Sequence, residues 1–206
     1  MFEEDYGQSL KEYPKIEDKV QSTSSLSVQM SFIMDLLDRN LEAKSKIYKD
    51  PSLSYVFLMN NSRYMVQKTK DTKLGTILGD VLIQKYTTKV RQHHKNYQRN
   101  SWSKVLECLK LDNNDSMQPN EVENSMKKKL KSFNMLFGEI CRVQRSWFIC
   151  DKHLKREIII SIVKLLLPSY AKFIRRFQRV LQPGKNAYKY VKYNMEDIAT
   201  GLDNLF

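Results

Sequence analysis

Breaks are scarce in this sequence, and that scarcity limits the folds open to it more than any other feature. Only 6 glycines and 5 prolines punctuate 206 residues, too few for the many tight turns of a sandwich or a barrel. Between the breaks, apolar residues recur at intervals of three and four, the spacing that gathers them on one side of a helix. The fold class that follows is all-α, with helices long enough to lie against one another as an antiparallel bundle.

Residues 1–24 are polar, contain Pro14 and the Ser22 to Ser25 cluster, and show no sustained apolar period, so they read as a loose lead-in. From Leu26, the positions Met30, Ile33, Leu37 and Leu41 predict an amphipathic helix with these four facing the core and an end near Tyr48. Asp50-Pro51 restarts the chain: an aspartate N-cap accepts orphan N–H groups, and proline is tolerated just inside because its missing N–H has no partner there. The second helix runs to about Lys70, and Gly75 and Gly79 bracket a turn after it.

Asp80 is the expected cap of the longest helix, about residues 80–110. Its apolar line is Leu82, Tyr86, Val90, His93, Tyr97 and Val105, and a basic face of Lys85, Lys95, Arg99 and Lys110 lies opposite. Asp112 to Asn120 forms a loop. Asn120 with Glu123 suggests a capping box for a fourth helix reaching about Phe148, and Asp151 caps a fifth. Pro168 should kink or break that helix between 151–167 and 168–181. Pro183-Gly184 then links to a last helix begun by Asn194 and Asp197. The organisation read from this is a lead-in (1–24), a first helical bundle unit (25–111), a loop (112–120) and a second helical unit (121–206) with a basic C-terminal tip.

Chemistry-bearing patterns are missing. GxGxxG, GxxxxGK[ST], GxSxG and HExxH do not occur, which argues against an enzyme and against a metal or other cofactor held by those motifs. His93 and His94 point about 100° apart on a helix and cannot share one metal from one face; His93 reads as a core or boundary residue and His94 as solvated. Cys108, Cys141 and Cys150 are odd in number and unpaired by spacing, which with an acidic N-terminus suggests reduced thiols in a cytosolic setting. They read as small buried hydrophobes. Trp102, Phe133, Phe137, Trp147 and Phe148 read as core packing. The greasiest run, Ile158 to Leu167, is about half the ~20 residues of a membrane span and carries Lys164, so it reads as a buried core helix.

Charge supplies the functional lead. The formal net charge is +12, which calls for an anionic partner. From Lys172 to Lys192, seven cations (Lys172, Arg175, Arg176, Arg179, Lys185, Lys189 and Lys192) succeed one another without an acid between them, and Tyr188, Tyr190 and Tyr193 interleave with the last. A spacing of three would put Lys189 and Lys192 on one side of a helical turn. Lys127, Lys128, Lys129 and Lys131 read instead as a solvated helix face, partly offset by Glu121 and Glu123.

Several long segments, in order, resemble one family. They are Asn40 to Asn61, Tyr64 to Lys68, Lys89 to Gln92, Asn96 to Arg99, Ser101 to Val105, Leu130 to Asn134, Trp147, Leu165-Leu-Leu-Pro-Ser-Tyr170, Lys189-Tyr-Val-Lys-Tyr193 and Leu205-Phe206. Together they resemble the C-terminal region of the seventy-kilodalton subunit of the exocyst, in its plant-type paralogues. The resemblance implies stacked antiparallel helical bundles forming the distal part of an elongated rod. It also implies a non-enzymatic role in tethering secretory vesicles, with the protein cytoplasmic and peripheral at the plasma membrane. The implied partners are other exocyst subunits, small GTPases and phosphatidylinositol bisphosphate in the anionic membrane. Lys189 and Lys192 occupy the family's lipid-binding Lys-Tyr-x-Lys-Tyr positions; Arg175 and Arg176 fall where the family is more loosely basic, and Arg179 and Lys185 extend the same run. The sequence departs from the family pattern in length, in Val81-Leu82 where an acid-Trp pair is usual, and at Gly138, which inside a helix costs up to ~1 kcal/mol relative to alanine. A protein-interaction module built on a groove between helices is the alternative, and nucleic acid ranks last among partners because no motif for it is present.

Overall fold

The computed structural model describes residues 16–111, 118–181 and 189–206, of which 16–24 are described by backbone alone. The described elements are six helices: α1 Ile16–Ser45, α2 Pro51–Asp71, α3 Leu74–Cys108, α4 Pro119–Gln144, α5 Lys152–Val180 and α6 Met195–Asp203. Helix α1 thus starts within the segment expected to be a loose lead-in. Once a helix is nucleated, extension costs little per residue, and nothing between Pro14 and Asp50 is a glycine or proline. Of the lead-in, residues 1–15 lie outside the described residues.

The local stop and start signals hold where they are short-range. Asp50 Oδ1 accepts from Ser52 N at 2.8 Å, with Pro51 opening α2. Asp151 Oδ1 accepts from Leu154 N at 2.7 Å, and Asn194 and Asp197 form a reciprocal capping box for α6. The α4 box sits two residues earlier than expected, on Gln118 and Glu121. This frees Glu123, whose side chain is only 3% exposed, to accept from Lys127 at 2.6 Å. Helix α4 ends at Gln144 rather than near Phe148, and Phe148 is 72% exposed instead of buried.

Two other expectations about helix breaks differ. The polypeptide is already helical from Leu74, with Gly79 alone leaving the helical region at φ 72°, where a side chain would be strained. Pro168 does not break α5, which is helical from Lys152 to Val180. Its ring and Lys164 both face solvent, so the carbonyl that loses its N–H partner can bond to water.

The helices pack around two apolar clusters strung along α3. The smaller consists of Met65 and Val66 of α2 with Leu78, Leu82 and Tyr86 of α3, and Met30, Met34 and Leu41 of α1 cover it. The larger joins the start of α2 and the second half of α3 to α4, α5 and α6; Tyr97, Val105, Phe133, Ile158, Phe173, Phe177, Ile198, Leu202 and Leu205 in it are fully excluded from solvent. Lys85 leaves the expected basic face, because α1 lies there and Asp35 accepts from its ammonium at 2.6 Å. Lys89 pairs with Asp38 and, at 3.1 Å, with Glu42. His94 is half-buried, with Nε2 2.9 Å from Ser161 Oγ, rather than solvated. No described helix is long and apolar enough to cross a membrane.

Two polar groups tie the helices together. Gln144 is 3% exposed; its Oε1 accepts from Tyr97 Oη at 2.6 Å and its Nε2 donates to Ser101 Oγ at 3.0 Å. Its carbonyl accepts from Trp147 N at 2.9 Å and Phe206 N at 3.3 Å. Asp151 accepts from Gln67 Nε2 at 2.6 Å and pairs with Arg63 at 3.1 Å, so the N-terminus of α5 is latched to α2. Burial pushes the Asp151 carboxyl up, but the Leu154 N–H, the Gln67 amide and the Arg63 guanidinium outweigh it and hold the carboxyl below the ordinary aspartate range.

Gln144→Leu leaves the Tyr97 hydroxyl and Ser101 without their partner in the core, so denaturant unfolding should show a loss of about 2–3 kcal/mol. The stability that Asp151 contributes is fully present above its unfolded pKa of about 4 and is lost as pH falls through the lower folded value. Asp151→Asn should therefore flatten the acid limb of the stability curve below about pH 4, measured as Tm against pH.

Candidate functional site

The chain after α5 returns to the bundle through residues 189–194, a turn rather than the helical turn expected from the lysine spacing. Two tyrosines hold it. Tyr193 meets Phe137 edge-on with ring centroids 5.1 Å apart, and its carbonyl accepts from Tyr170 Oη at 2.5 Å. Burial, with Asp197 nearby, raises the Tyr170 hydroxyl to about 12, so it remains a donor at any physiological pH. Tyr190 meets Phe177 edge-on at 6.0 Å, and its carbonyl accepts weakly from Asn134 Nδ2 at 3.5 Å. The spacing of three then does the rest, since Val191 packs inward with the tyrosines. With the tyrosines turned toward the bundle, Lys189 and Lys192 are exposed.

Gly138 belongs to this site. A Cβ built there would lie 2.8 Å from Tyr193 Oη, closer than such atoms approach, so the helix-propensity cost of glycine permits the tyrosine to seat on α4. Helix α6, anchored by Ile198 and Leu202, fixes the other end of the turn.

The cations divide into engaged and free. Lys127 of α4 lies 4.6 Å over the Tyr190 ring and is bonded to Glu123, which raises its pKa. Lys129 donates to the Lys110 carbonyl at 2.8 Å. Lys192 lies 5.1 Å over the Tyr193 ring, a cation–π contact that orients the ammonium without neutralising it. Among the described residues no carboxylate pairs with Lys189, Lys192, Arg175, Arg176 or Arg179. A nearby acid in sequence, Asp197, accepts from Asn194 N at 2.8 Å as part of the α6 cap.

Arg175, Arg176 and Arg179 are exposed on the last turns of α5. With Phe173 and Phe177 facing inward, ~100° per residue places the three arginines within one outward arc about 100° wide. The Tyr190–Phe177 contact lays the 189–193 turn beside these same turns of α5. Lys185 lies outside the described residues. Sequence reasoning left out Lys127, Glu123 and Asn134 as supports of the turn; the i,i+4 spacing of Glu123 and Lys127 was the available signal.

Among the described residues, the thiols and the one histidine–serine contact are held as follows. Burial pushes the Cys141 thiol up to about 11 and raises that of Cys108, the opposite of what an active thiolate needs. Both are half-buried, while Cys150 is exposed rather than buried as expected. Ser161 donates its own proton to the Ile158 carbonyl at 2.7 Å, so His94 is not positioned to take it. No group of three or more His, Cys, Asp or Glu suited to a metal occurs among the described residues.

Comparison with known proteins adds an independent line. The family model for the C-terminal part of the Exo70 component of the exocyst complex matches residues 2–204. The chain is 53% identical over 186 residues to "Exocyst complex component EXO70B1" of Arabidopsis thaliana, covering 90% of this chain and 30% of that protein. It is 30% identical over 189 residues to "Exocyst complex component 7" of Homo sapiens, covering 88% of this chain and 25% of that protein. In fold it is similar to S. cerevisiae Exo70, with a TM-score of 0.63 at 19% identity over 75% of this chain and 28% of that structure. The chain thus spans under a third of the length of these proteins.

Gly138→Ala should be destabilising by about 1 kcal/mol despite alanine's better helix propensity, because Tyr193 must leave its seat. The Tyr193→Phe background, which removes the clashing hydroxyl, should turn the same substitution neutral or stabilising. A double-mutant cycle read by thermal unfolding measures the difference.

Proposed function

This chain belongs to the Exo70 family of exocyst components, matching its C-terminal region, and from that premise we propose that it serves as a non-enzymatic tethering module in exocytosis. Its basic tip docks on anionic lipid, phosphatidylinositol bisphosphate in particular, at the cytoplasmic face of the plasma membrane, and its partners are other exocyst subunits. One observation carries the lipid reading: Lys189 and Lys192 project from a turn whose tyrosines are anchored inward, Arg175, Arg176 and Arg179 are exposed on the α5 turns that Tyr190 meets through Phe177, and no described carboxylate pairs with any of the five. A phosphorylated headgroup is a multiply charged acceptor that suits several such donors at once.

Magnitude sets what one tip can do. Each Lys or Arg near an anionic leaflet contributes ~1 kcal/mol, so four well-placed cations give ~4 kcal/mol, near a millimolar Kd. Durable attachment then requires several tips acting together, since joining two weak contacts multiplies their effect through effective concentration.

An alternative reading as a protein-interaction module draws on a different observation, the apolar outer side of α1, where Phe32 is 63% and Ile33 55% exposed.

Vesicle flotation separates the two. Vesicles containing phosphatidylinositol bisphosphate should retain the chain, with retention falling as salt is raised. Lys189→Ala/Lys192→Ala should weaken retention about 10- to 30-fold, the equivalent of removing ~2 kcal/mol. Equal retention of the variant and the natural chain overturns the assignment of these lysines, and equal retention on neutral vesicles overturns lipid docking by charge.

A further inference from the structure

His93 sits among the helices with nothing to bond to. Both of its ring nitrogens are shielded from solvent, and among the described residues neither has a hydrogen-bond partner. Its neighbour His94 turns ~100° away and meets Ser161 of α5. The His93 ring instead stacks on Tyr55, in the second turn of α2, with centroids 6.3 Å apart.

One turn earlier on α3, Lys89 reaches across to Asp38 and, at 3.1 Å, to Glu42 near the end of α1. With Asp35 on Lys85, the two helices run parallel, so the last turn of α1, ending at Ser45, comes level with His93. Ile33 and Leu37, expected in the core, lie off this strip and are exposed. His93 therefore lies beneath the corner where α1 ends and α2 begins. The corner is also pinned by the Tyr48 ring on that of Phe57, at 5.3 Å, and by the Asp50 cap.

A neutral imidazole can sit under this corner as a flat, apolar plate. A proton on it adds a charge that enclosure leaves without solvation and that the Lys89 ammonium repels. The carboxylates that could offset it, Asp38 and Glu42, are already bonded to Lys89. We propose that His93 is a proton-operated latch on the α1–α2 corner: neutral, it lets the corner close on α3, and protonated, it opens the corner while the rest of the bundle stays folded.

The groups that face the ring come from three helices: Lys89 of α3 itself, Asp38 and Glu42 of α1, and the Tyr55 phenol of α2. Burial is the largest influence and Lys89 adds to it; the two carboxylates oppose them and are outweighed, so the ring holds its proton less tightly than an ordinary histidine. In the open corner it regains the ordinary value of about 6.5. The closed corner is thus fully favoured above that pH and loses ground as pH falls through it toward the lower closed value, by up to about 10-fold per pH unit. Asp151 responds only below about pH 4, so the two acid effects are separate.

Position separates the latch from its neighbours. Burial lowers His94 as well, against the pull of Glu157, but that ring faces α5 and any response from it belongs to the α3–α5 contact. From His93 to the end of α3 at Cys108 is ~22 Å at ~1.5 Å per residue. The basic turn lies near that end, where Lys129 bonds to the Lys110 carbonyl and Lys127 covers Tyr190. Opening the corner leaves the turn in place, and the latch stands whether or not the turn docks on lipid.

Hydrogen exchange of the 206-residue chain, read by mass spectrometry at pH 7.5, 6.5 and 5.5 and corrected for the intrinsic rate, tests the latch. Protection across residues 38–58 should fall about 3- to 10-fold from the highest pH to the lowest, while that of α6 holds. His93→Phe keeps an aromatic plate against Tyr55 and removes the proton site, so its corner should be equally protected at all three pH values. His94→Gln should respond at 38–58 as the natural chain does. NMR of the natural chain should show the His93 ring titrating below the ordinary 6.5, a readout that needs no variant and decides the matter if His93→Phe does not fold. A ring that titrates at 6.5 or above, an equal response in His93→Phe, or a loss of protection spread over every helix overturns the proposal.

Discussion

The side-chain amide of Gln144 is the point on which the larger cluster closes. It sits where α3, the end of α4 and Phe206 meet: the amide bonds to Tyr97 and Ser101, and the backbone carbonyl of the same residue accepts from Trp147 N and Phe206 N. An unpaired amide so placed would be costly, whereas a fully bonded one specifies a single arrangement of the helices around it. Trp102 extends the network with a 3.3 Å bond from Nε1 to Tyr97 Oη. The Phe206 ring lies 5.9 Å from that of Tyr97, and Lys155 Nζ donates to the Phe206 carbonyl at 2.5 Å. Helix α6 is held at its far end by this contact and at its near end by the Tyr193 seat. The basic turn is therefore tied down on its C-terminal side, where Ile198, Leu202 and Leu205 are buried, although the turn itself lies on the surface.

The proposed lipid docking rests on the division between packed cations and cations without a carboxylate partner. Lysines that sit over a carboxylate or a carbonyl, such as Lys127, Lys129 and Lys89, stabilise the scaffold and have little left for a ligand. Lys192 of the terminal turn has an aromatic neighbour, Tyr193, which orients it while leaving the charge intact. Polyvalent recognition of a lipid surface depends on that second kind, because a membrane offers many equivalent anions and rewards a fixed cluster of donors over a mobile one.

Short-range signals were legible in the sequence and long-range ones were not. The caps at Asp50, Asp151 and Asn194 involve partners two or three residues away, so the residue type alone determines the bond. The core line of α3 was readable for the same reason, since Leu82, Tyr86, Val90, Tyr97 and Val105 share one side of one helix. The outer side of α1 was misread because periodicity reports which residues are apolar and not which side a neighbour covers; a helix apolar on two sides gives no preferred answer. Phe148 was misplaced in the same way: α4 stops at Gln144, and Asn60 Nδ2 donates to the Phe148 carbonyl at 2.7 Å, so backbone rather than ring engages α2. Pro168 carried a general penalty that exposure relieves. At the basic turn, the two inward tyrosines were not readable, because their partners Phe137 and Phe177 are distant in sequence.

The close approach at Gly138 couples two positions fifty-five residues apart in the chain. In related sequences the pair should therefore drift together: wherever a side chain has appeared at the position of Gly138, the ring at the position of Tyr193 should have lost its hydroxyl or its bulk, and lineages that keep the tyrosine should keep the glycine. Such covariation would give an inexpensive way to recognise, from sequence alone, which members of the family still clamp this terminal loop to the fourth helix and which have let it go.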